Sequence, residues 1–272
     1  MGTIVNKIET INITKIMLYI FTVLIITPVA SAQQSHFSIE SKILKESREV
    51  IVQLPDNYDP KNEKGYPVLY VLDANHQAIE LAARKASKLY QTKVILIGIK
   101  VSSEVTDFLP HNIGVKRDDM LIYGNGDQAL IFIKDELFPY VDKNFRTNGH
   151  NVLIGHSWAG QFSAYSLSQT PGLFDGYFIS SPSIGRNRAL TFDALHSASK
   201  DIKKSPLFVY VSVGSTESRR LIEDYTQLKT VLKNVLPEER DLHFEINEGA
   251  THKNNDVVSF PKALKYHLSS MK

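Results

Sequence analysis

The sequence predicts an α/β fold: a mostly parallel central sheet, helices on both faces, and an antiparallel pair of strands at one edge. Six short apolar runs alternate with segments of helical spacing along the chain. Runs that are apolar on both faces are typical of parallel strands, because helices cover both faces of such a sheet. The alternation of strands and helices predicts a doubly wound sheet. Two runs near the start alternate apolar and polar residues, which is typical of half-exposed antiparallel strands.

The predicted elements follow one another in a regular order. The antiparallel pair covers residues 37–44 and 48–55, with a hairpin turn at 45–47. The apolar runs predict parallel strands at 66–72, 94–99, 152–154, 176–180, 207–213 and 242–246. Helical spacing predicts helices at 77–89, 127–141, 158–170, 217–234 and 258–269. The longest irregular segment, about 101–126, follows a buried strand, and we expect it at the ligand-binding end of the sheet.

Composition and charge exclude several classes of function. The chain has 272 residues, 43% of them hydrophobic, and a net charge of +2, which suits one globular domain. The near-neutral balance gives no support for a nucleic-acid partner. The chain contains no cysteine, so thiol catalysis, disulfides and cysteine-bound metals are excluded. No spacing of histidines and carboxylates demands a metal, and we expect neither a metal nor a cofactor.

The first 32 residues have the pattern of a signal peptide. Lys7 and Lys15 precede the apolar run Ile16–Ile26, and residues 30–32 read Ala-Ser-Ala, an Ala-x-Ala cleavage site. The run of about eleven residues is short for a permanent membrane-spanning helix, and an uncleaved anchor is the alternative. We expect cleavage after Ala32, a single domain over 33–272, export to the periplasm or the medium, and no stable membrane anchor.

The segment Asn151–Gly160 has the layout of a nucleophile elbow. A predicted strand runs into Gly155, a tight turn carries Ser157, and helical spacing begins directly afterwards. Such a turn strains the serine backbone so that its hydroxyl stands clear of the sheet. The pattern expects Gly-x-Ser-x-Gly, but its last position is Ala159, with glycine one residue later. The alternative is a buried strand that ends in Gly-x-Ser by chance.

A serine nucleophile needs a base, and His252 is the candidate. The hydroxyl is a poor nucleophile near neutral pH, so a base must take its proton and a third group must orient that base. His252 lies in a polar loop after the predicted strand at 242–246. His243 falls within that strand pattern and His267 within a helical one. A solvated loop histidine is the alternative for His252.

Glu217 is the candidate acid of a Ser–acid–His chain order. It lies in the turn that follows the predicted strand at 207–213. Asp224, one or two turns into the following helix, is the rival acid. The alternative for Glu217 itself is a carboxylate that stabilises a helix start through the helix dipole.

The remaining predicted site residues complete an oxyanion hole and a pocket. The backbone N–H of Trp158 is one expected oxyanion donor, and Ala74 or Asn75, after an early central strand, is the other. His156 flanks the serine and is expected to line the substrate pocket, as is Trp158 unless it packs in the core. The irregular segment is expected to add Asp107 and Phe108 to that pocket.

Several segments together resemble the putative esterase family of α/β-hydrolases, which includes esterase D-like and siderophore (enterobactin-type trilactone) esterases. The segments are 66–73, 107–110, 136–147, 155–160 and 180–183. They occur in order over nearly all of the domain. The resemblance implies an α/β-hydrolase fold and a carboxylic-ester hydrolase with Ser157 as nucleophile and His252 as base. Two departures are Ala159 in place of glycine, and the lack of an arginine between 101 and 110, where siderophore-type relatives often carry one.

The sequence leaves three hypotheses. The first is an exported serine esterase with an acyl-enzyme intermediate, in which Glu217 orients His252 and the partner is a small-molecule or glycan ester. Siderophores, acylated sugars and short-chain lipid esters are the candidate substrates. The second is an acyltransferase on the same scaffold, since the family is also similar to mycolyltransferases. The third is a non-catalytic binding protein that retains the fold.

Overall fold

The computed structural model describes residues 34–74, 93–110, 114–117, 120–185, 188–202, 207–236 and 241–270. The predicted signal peptide with its cleavage site and the predicted helix at 77–89 lie outside these ranges. None of the helices within them is long and apolar enough to cross a membrane.

Ten strands occur in the described part of the chain. They are β1 (Gln34–Ser41), β2 (Glu46–Gln53), β3 (Tyr66–Leu72), β4 (Ile95–Ile99), β5 (Gly114–Arg117), β6 (Met120–Tyr123), β7 (Thr147–His156), β8 (Gly176–Ser180), β9 (Phe208–Gly214) and β10 (Asp241–Asn247). Eight form one sheet in the order β1-β2-β4-β3-β7-β8-β9-β10, and β5 pairs with β6 alone. The contacts of β1 with β2 and of β2 with β4 are antiparallel, whereas all later contacts in the sheet are parallel. The predicted mostly parallel sheet with an antiparallel N-terminal edge is confirmed.

The helices lie on both faces of this sheet. Within the described ranges they are α1 (Glu104–Phe108), α2 (Gly126–Phe132), α3 (Phe138–Asn144), α4 (Trp158–Gln169), α5 (Arg188–Ser197), α6 (Ser199–Ile202), α7 (Arg219–Val235) and α8 (Asn255–Ser270). Alternate strand residues belong to two separate apolar clusters, as the period-2 geometry of a strand requires. Tyr70 and Leu153 pack in the larger cluster with residues of α2, α4 and α7. Leu69 and Val152 pack in the smaller cluster, against α8.

The helix predicted at 127–141 contains a change of pitch. A π-helical turn over Ile133–Leu137 separates α2 from α3, and the N–H of Phe138 bonds to the carbonyl of Ile133. Pro139 follows directly and has no N–H to donate. Since proline inside a helix clashes with the carbonyl four residues earlier, the wider turn before it accommodates the ring.

The first hairpin and the segment 101–126 differ from their predictions. The hairpin turn lies at 42–45 rather than 45–47, because the Glu136 carboxylate accepts from Ser41 Oγ at 2.5 Å and from the Lys42 N–H at 2.9 Å. These bonds end the first strand early. The segment predicted as irregular contains α1 and the β5–β6 hairpin. Two further helices, α5 and α6, were not predicted, because only a few of their residues face the core.

Candidate active site

Three neighbouring parallel strands end at residues with a strained backbone. Asp73 after β3, Ser157 after β7 and Ser181 after β8 have φ angles of 57°, 58° and 46°. A non-glycine residue in this region costs about 1–3 kcal/mol, and such residues concentrate at functional sites. The carboxyl edge of the sheet therefore stores strain where ligands bind in open α/β sheets.

Two close backbone approaches hold Ser157 in its turn. The Ser157 N–H donates to the carbonyl of Ser180 at 3.0 Å. A Cβ on Gly155 would lie 2.3 Å from the Ala159 carbonyl oxygen, and a Cβ on Gly160 would lie 2.9 Å from the Ser180 carbonyl oxygen. Glycine is therefore required at 155 and favoured at 160, where strand and helix meet.

The alanine that departs from the elbow pattern is accommodated. Ala159 is buried and its methyl belongs to the larger apolar cluster. The position where a side chain is disfavoured lies one residue later, at Gly160, where the helix passes the carbonyl edge of β8. The shift of glycine from 159 to 160 therefore leaves the turn around Ser157 intact.

The structure brings three predicted residues into one hydrogen-bonded chain. The Ser157 hydroxyl lies 2.9 Å from His252 Nε2, and His252 Nδ1 lies 2.8 Å from Glu217 Oε2. In this arrangement the hydroxyl donates to Nε2, and the Nδ1–H donates to the carboxylate. The rival acid is elsewhere, because Asp224 accepts from Arg188 Nε at 2.6 Å and from the Gly185 N–H at 2.9 Å. The hydrogen-bonded chain of serine, histidine and carboxylate is thus complete, and its carboxylate is that of Glu217, not Asp224.

Hydrogen bonds join the loop after β9 to the loop after β10. Thr216 donates to the Ala250 carbonyl from its hydroxyl at 2.8 Å and from its N–H at 3.2 Å. The N–H of Gly249 bonds to the Ser215 hydroxyl at 2.9 Å. A Cβ on Gly214 would lie 2.2 Å from the Ala250 carbonyl oxygen, so only glycine permits this approach. These contacts fix the separation between the loop that carries Glu217 and the loop that carries His252.

The Glu217 carboxylate is buried and accepts several hydrogen bonds. Its Oε1 accepts from the Ser181 hydroxyl at 2.5 Å and from the Gly214 N–H at 2.7 Å. Burial alone would raise the pKa of Glu217, but the hydrogen bonds from His252, Ser181 and Gly214 outweigh it and hold this pKa below its usual value. The acid is therefore ionised near neutral pH and able to stabilise an imidazolium at His252.

Two further side chains border the nucleophile. Ser183 Oγ lies 3.2 Å from Ser157 Oγ. The ring of His156 lies over that of His252, with 4.8 Å between centroids, and its Nδ1 is 3.3 Å from Ser180 Oγ. Sequence reasoning placed His156 beside the site but missed Ser183. The available signal was its position, three residues past the end of β8 on the same sheet edge.

The structure gives a different result for each of the three predicted oxyanion donors, Trp158, Ala74 and Asn75. Trp158 is the first residue of α4, where backbone N–H groups have no acceptor within the helix. The N–H of Ala74 is directed into the sheet, because it donates to the Ile99 carbonyl at 3.0 Å. The oxyanion role predicted for Ala74 is therefore wrong. Asn75 lies outside the described residues.

The predicted pocket residues Asp107 and Phe108 are structural instead. The Asp107 carboxylate accepts from Arg48 at 2.7 Å and 3.0 Å, and from the Ser102 N–H at 3.0 Å. Phe108 is only 2% exposed and packs its ring 5.6 Å from that of Phe162. The assignment of both residues to the pocket is wrong, because both are buried residues of α1 and Asp107 is also paired with Arg48, so neither side chain is free to contact a substrate.

The comparisons with known proteins agree with this fold. The sequence model of the family described as "Putative esterase" matches residues 41–266. The chain is 24% identical over 180 residues to the ferri-bacillibactin esterase BesA of Bacillus subtilis (strain 168), covering 58% of this chain and 62% of that relative, which is less than two thirds of its length.

Two solved structures share the architecture. The BES protein from Bacillus cereus aligns with a TM-score of 0.73 at 24% identity, covering 97% of this chain and 98% of that one. The siderophore hydrolase EstA from Aspergillus nidulans aligns with a TM-score of 0.72 at 18% identity, covering 90% of this chain and 97% of that one. At these identities the likeness establishes the fold.

Proposed function

The chain belongs to the putative esterase family, and we propose that it is an exported serine esterase that cleaves carboxylic esters through an acyl-enzyme. The observation that carries the proposal is the unbroken chain from Ser157 through His252 to Glu217, with contacts of 2.9 Å and 2.8 Å. Since the side chain of His252 is 37% exposed, a substrate can reach the Ser157–His252 pair from solvent.

The residues support a two-step reaction. Ser157 Oγ attacks the ester carbonyl carbon while His252 Nε2 takes the hydroxyl proton, and Glu217 stabilises the imidazolium. We assign the binding of the oxyanion of the tetrahedral intermediate to the N–H of Trp158, and its support is the position of Trp158 as the first residue of α4. The intermediate collapses, the C–O bond of the leaving alcohol breaks, and His252 returns the proton to that alcohol. Water then attacks the acyl-enzyme with His252 again as the base, which releases the acid and Ser157.

We propose a siderophore ester as the substrate class. The support is the names of the relatives, which describe a ferri-bacillibactin esterase and a siderophore hydrolase. Export is proposed from the pattern of residues 1–32. N-terminal sequencing of protein recovered outside the cytoplasm is expected to start at Gln33, and a start before Ala32 would contradict cleavage at this site.

The direct test uses residues 33–272, with Ser157→Ala as the variant and Ser269→Ala as the matched control. Ser269 is an exposed serine on α8 that bonds to the Lys265 carbonyl. Ser157→Ala is expected to lose at least about a thousandfold in kcat/KM on p-nitrophenyl acetate and on a trilactone siderophore. Ser269→Ala is expected to match the parent.

A fluorophosphonate probe gives a second measurement on the same proteins. The parent and the Ser269→Ala control are expected to be labelled at Ser157, as identified by mass spectrometry of the peptide. Ser157→Ala should remain unlabelled. Parental hydrolysis by Ser157→Ala would rule out the serine mechanism, and hydrolysis of simple esters without any siderophore cleavage would rule out the substrate class.

A further inference from the structure

A cluster of buried polar side chains lies behind Glu217, and the reaction described above does not use it. Its members are almost fully buried: Ser180, Ser181, Ser212, Asn247, Asn255 and Ser259. Burial of polar groups is costly unless every one is hydrogen-bonded. Asn255 meets this requirement because its two Nδ2 hydrogens face three serine hydroxyls within 3.3 Å and its Oδ1 accepts from Asn247. The cluster connects the start of α8 with the ends of β8, β9 and β10.

At the end of the cluster that contacts Glu217, the carboxylate determines which groups donate and which accept. An ionised carboxylate only accepts, so the Ser181 hydroxyl, 2.5 Å from Glu217 Oε1, must donate to it. Ser181 Oγ then has only acceptor capacity for Asn255, whose Nδ2 lies 2.9 Å away. The amide oxygen of Asn255 consequently faces Asn247.

The direction is fixed independently at the surface end. The Lys262 ammonium only donates, and it lies 2.6 Å from Asn247 Oδ1. The Nδ2 of Asn247 therefore faces the other way and donates to Asn255 Oδ1 at 2.7 Å. Both ends require the same orientation of the two amides. The bonds run one way, from Lys262 through Asn247, Asn255 and Ser181 to Glu217.

We propose that Ser181 and Asn255 are positioning residues that hold the Glu217 carboxylate ionised and aimed at His252. The proposal rests on the serine-esterase function proposed above. With Oε1 occupied by the Ser181 hydroxyl and the Gly214 N–H, Oε2 is left for His252 Nδ1. This fixes the rotation of the carboxylate and thus the imidazole plane that must receive the proton of Ser157. Ordered donors that need no rearrangement stabilise the charge better than mobile water would.

Among the residues that the structure describes, a charged or titratable side chain contacts each end of the cluster. At the acid end, His252 contacts Glu217. Lys262 at the far end also pairs with Glu245 at 2.8 Å. Loss of the Ser181 hydroxyl removes a donor from Glu217 while its burial remains, so its carboxyl group should take up a proton at higher pH than in the parent.

The experiment compares Ser181→Ala and Asn255→Asp with the control Ser259→Ala. Ser259 belongs to the same cluster and bonds to Ser212 and Asn247. Two quantities are measured: kcat and KM for an ester, and the carboxyl-carbon NMR titration of Glu217 without substrate. Ser181→Ala is expected to lower kcat about tenfold, as for a hydrogen bond to a charged group, with KM unchanged and the titration moved to higher pH.

Asn255→Asp is expected to change both quantities in the same direction, because an acceptor-only carboxylate would compete for the Ser181 proton. Ser259→Ala should stay within twofold of the parent in kcat and leave the titration in place. A parental kcat and titration in Ser181→Ala would overturn the proposal, as would an equal effect of Ser259→Ala. If Asn255→Asp does not fold, Ser181→Ala decides alone.

The two proposals fail in distinguishable ways. A parent protein that cleaves no ester and reacts with no fluorophosphonate would refute the enzymatic function. The Glu217 titration needs no substrate, so it would still report whether Ser181 and Asn255 hold the carboxylate ionised.

Discussion

A histidine forms hydrogen bonds at each edge of the sheet, but its partners and its exposure differ between the two edges. At the carboxyl edge, His252 bonds to an acid through Nδ1 and to a serine through Nε2, and it remains partly exposed. At the amino edge, His267 Nε2 lies 2.9 Å from His150 Nε2, and its ring is buried against Phe208. Burial, reinforced by His150 and opposed by Asp241, lowers the pKa of His267 to about 4.

The role of a histidine therefore depends on its hydrogen-bond partners and its solvent exposure, and not on the residue type alone. A bond between two Nε2 atoms needs one nitrogen to accept, so it holds only while at least one of the rings is neutral. His252 Nδ1 instead bonds to the Glu217 carboxylate, which in the proposed reaction stabilises the imidazolium formed when the Ser157 proton is transferred. The carboxyl edge is therefore suited to proton transfer, and the amino edge to packing.

Replacement of His252 should separate the two edges most strongly. His252→Ala removes the base, and kcat/KM for an ester is expected to fall about 10⁵-fold, with a thermal midpoint close to that of the parent because the side chain is partly exposed. His267→Gln is expected to keep kcat/KM within twofold and to lower the thermal midpoint. An equal loss of activity in His267→Gln would show that the amino edge contributes to catalysis.

The next largest effect concerns the acid. Glu217→Gln keeps the shape of the side chain but removes the charge that orients His252, so we expect kcat to fall about a thousandfold. Asp224→Asn is the matched control, because that buried carboxylate serves Arg188 and Gly185 instead. Asp224→Asn is expected to have a lower free energy of unfolding in a denaturant titration. Its kcat is expected to stay within about tenfold of that of the parent. A larger loss of kcat in Asp224→Asn than in Glu217→Gln would reverse the assignment of the acid.

The amino edge predicts a dependence of stability on pH. The pKa of His267 is about 4 in the folded protein and about 6.5 when unfolded, so the unfolded chain binds more protons between these values. Stability is therefore highest above about pH 6.5 and falls as the pH is lowered towards 4. We expect the free energy of unfolding to be about 2 kcal/mol lower at pH 5 than at pH 7 from this group.

Denaturant unfolding at pH 7 and pH 5 tests this effect. His267→Gln should remove about that amount of the difference between the two pH values. His36→Gln is the matched control, because His36 is an exposed histidine paired with Glu49. The expectation fails if both variants keep the parental pH dependence.

The sequence predicted the parts of this molecule that repeat a local pattern. The parallel strands, the order of Ser157, Glu217 and His252, and their places after β7, β9 and β10 follow from short apolar runs and the polar residues just beyond them. The π-helical turn before Pro139 changes the pitch within a correctly predicted helix. Pro139 is a local cause of this turn. The spacing of apolar residues is the same before and after the turn, so the spacing does not indicate it.

The errors arose where the outcome depends on distant partners. Asp107 was assigned to the pocket because it lies in a loop at the correct edge, but Arg48, on a strand 59 residues away, turns it into a buried ion pair. The N–H of Ala74 donates to the carbonyl of Ile99 in the neighbouring strand β4. Ser181 and Asn255, 74 residues apart, meet only in the folded chain, so no spacing could reveal their contact.

The smallest expected effect lies within the elbow at the carboxyl edge. Ala159→Gly restores the usual motif, but it removes a buried methyl group and places glycine in the first turn of α4, so we expect about 1–2 kcal/mol less stability. Because the close approach to β8 occurs at Gly160, kcat should stay within twofold. Gly160→Ala, whose Cβ would lie 2.9 Å from the Ser180 carbonyl oxygen, should lower kcat more. A tenfold gain in kcat for Ala159→Gly, measured with the same ester, would show instead that the alanine methyl displaces Ser157 from its best position.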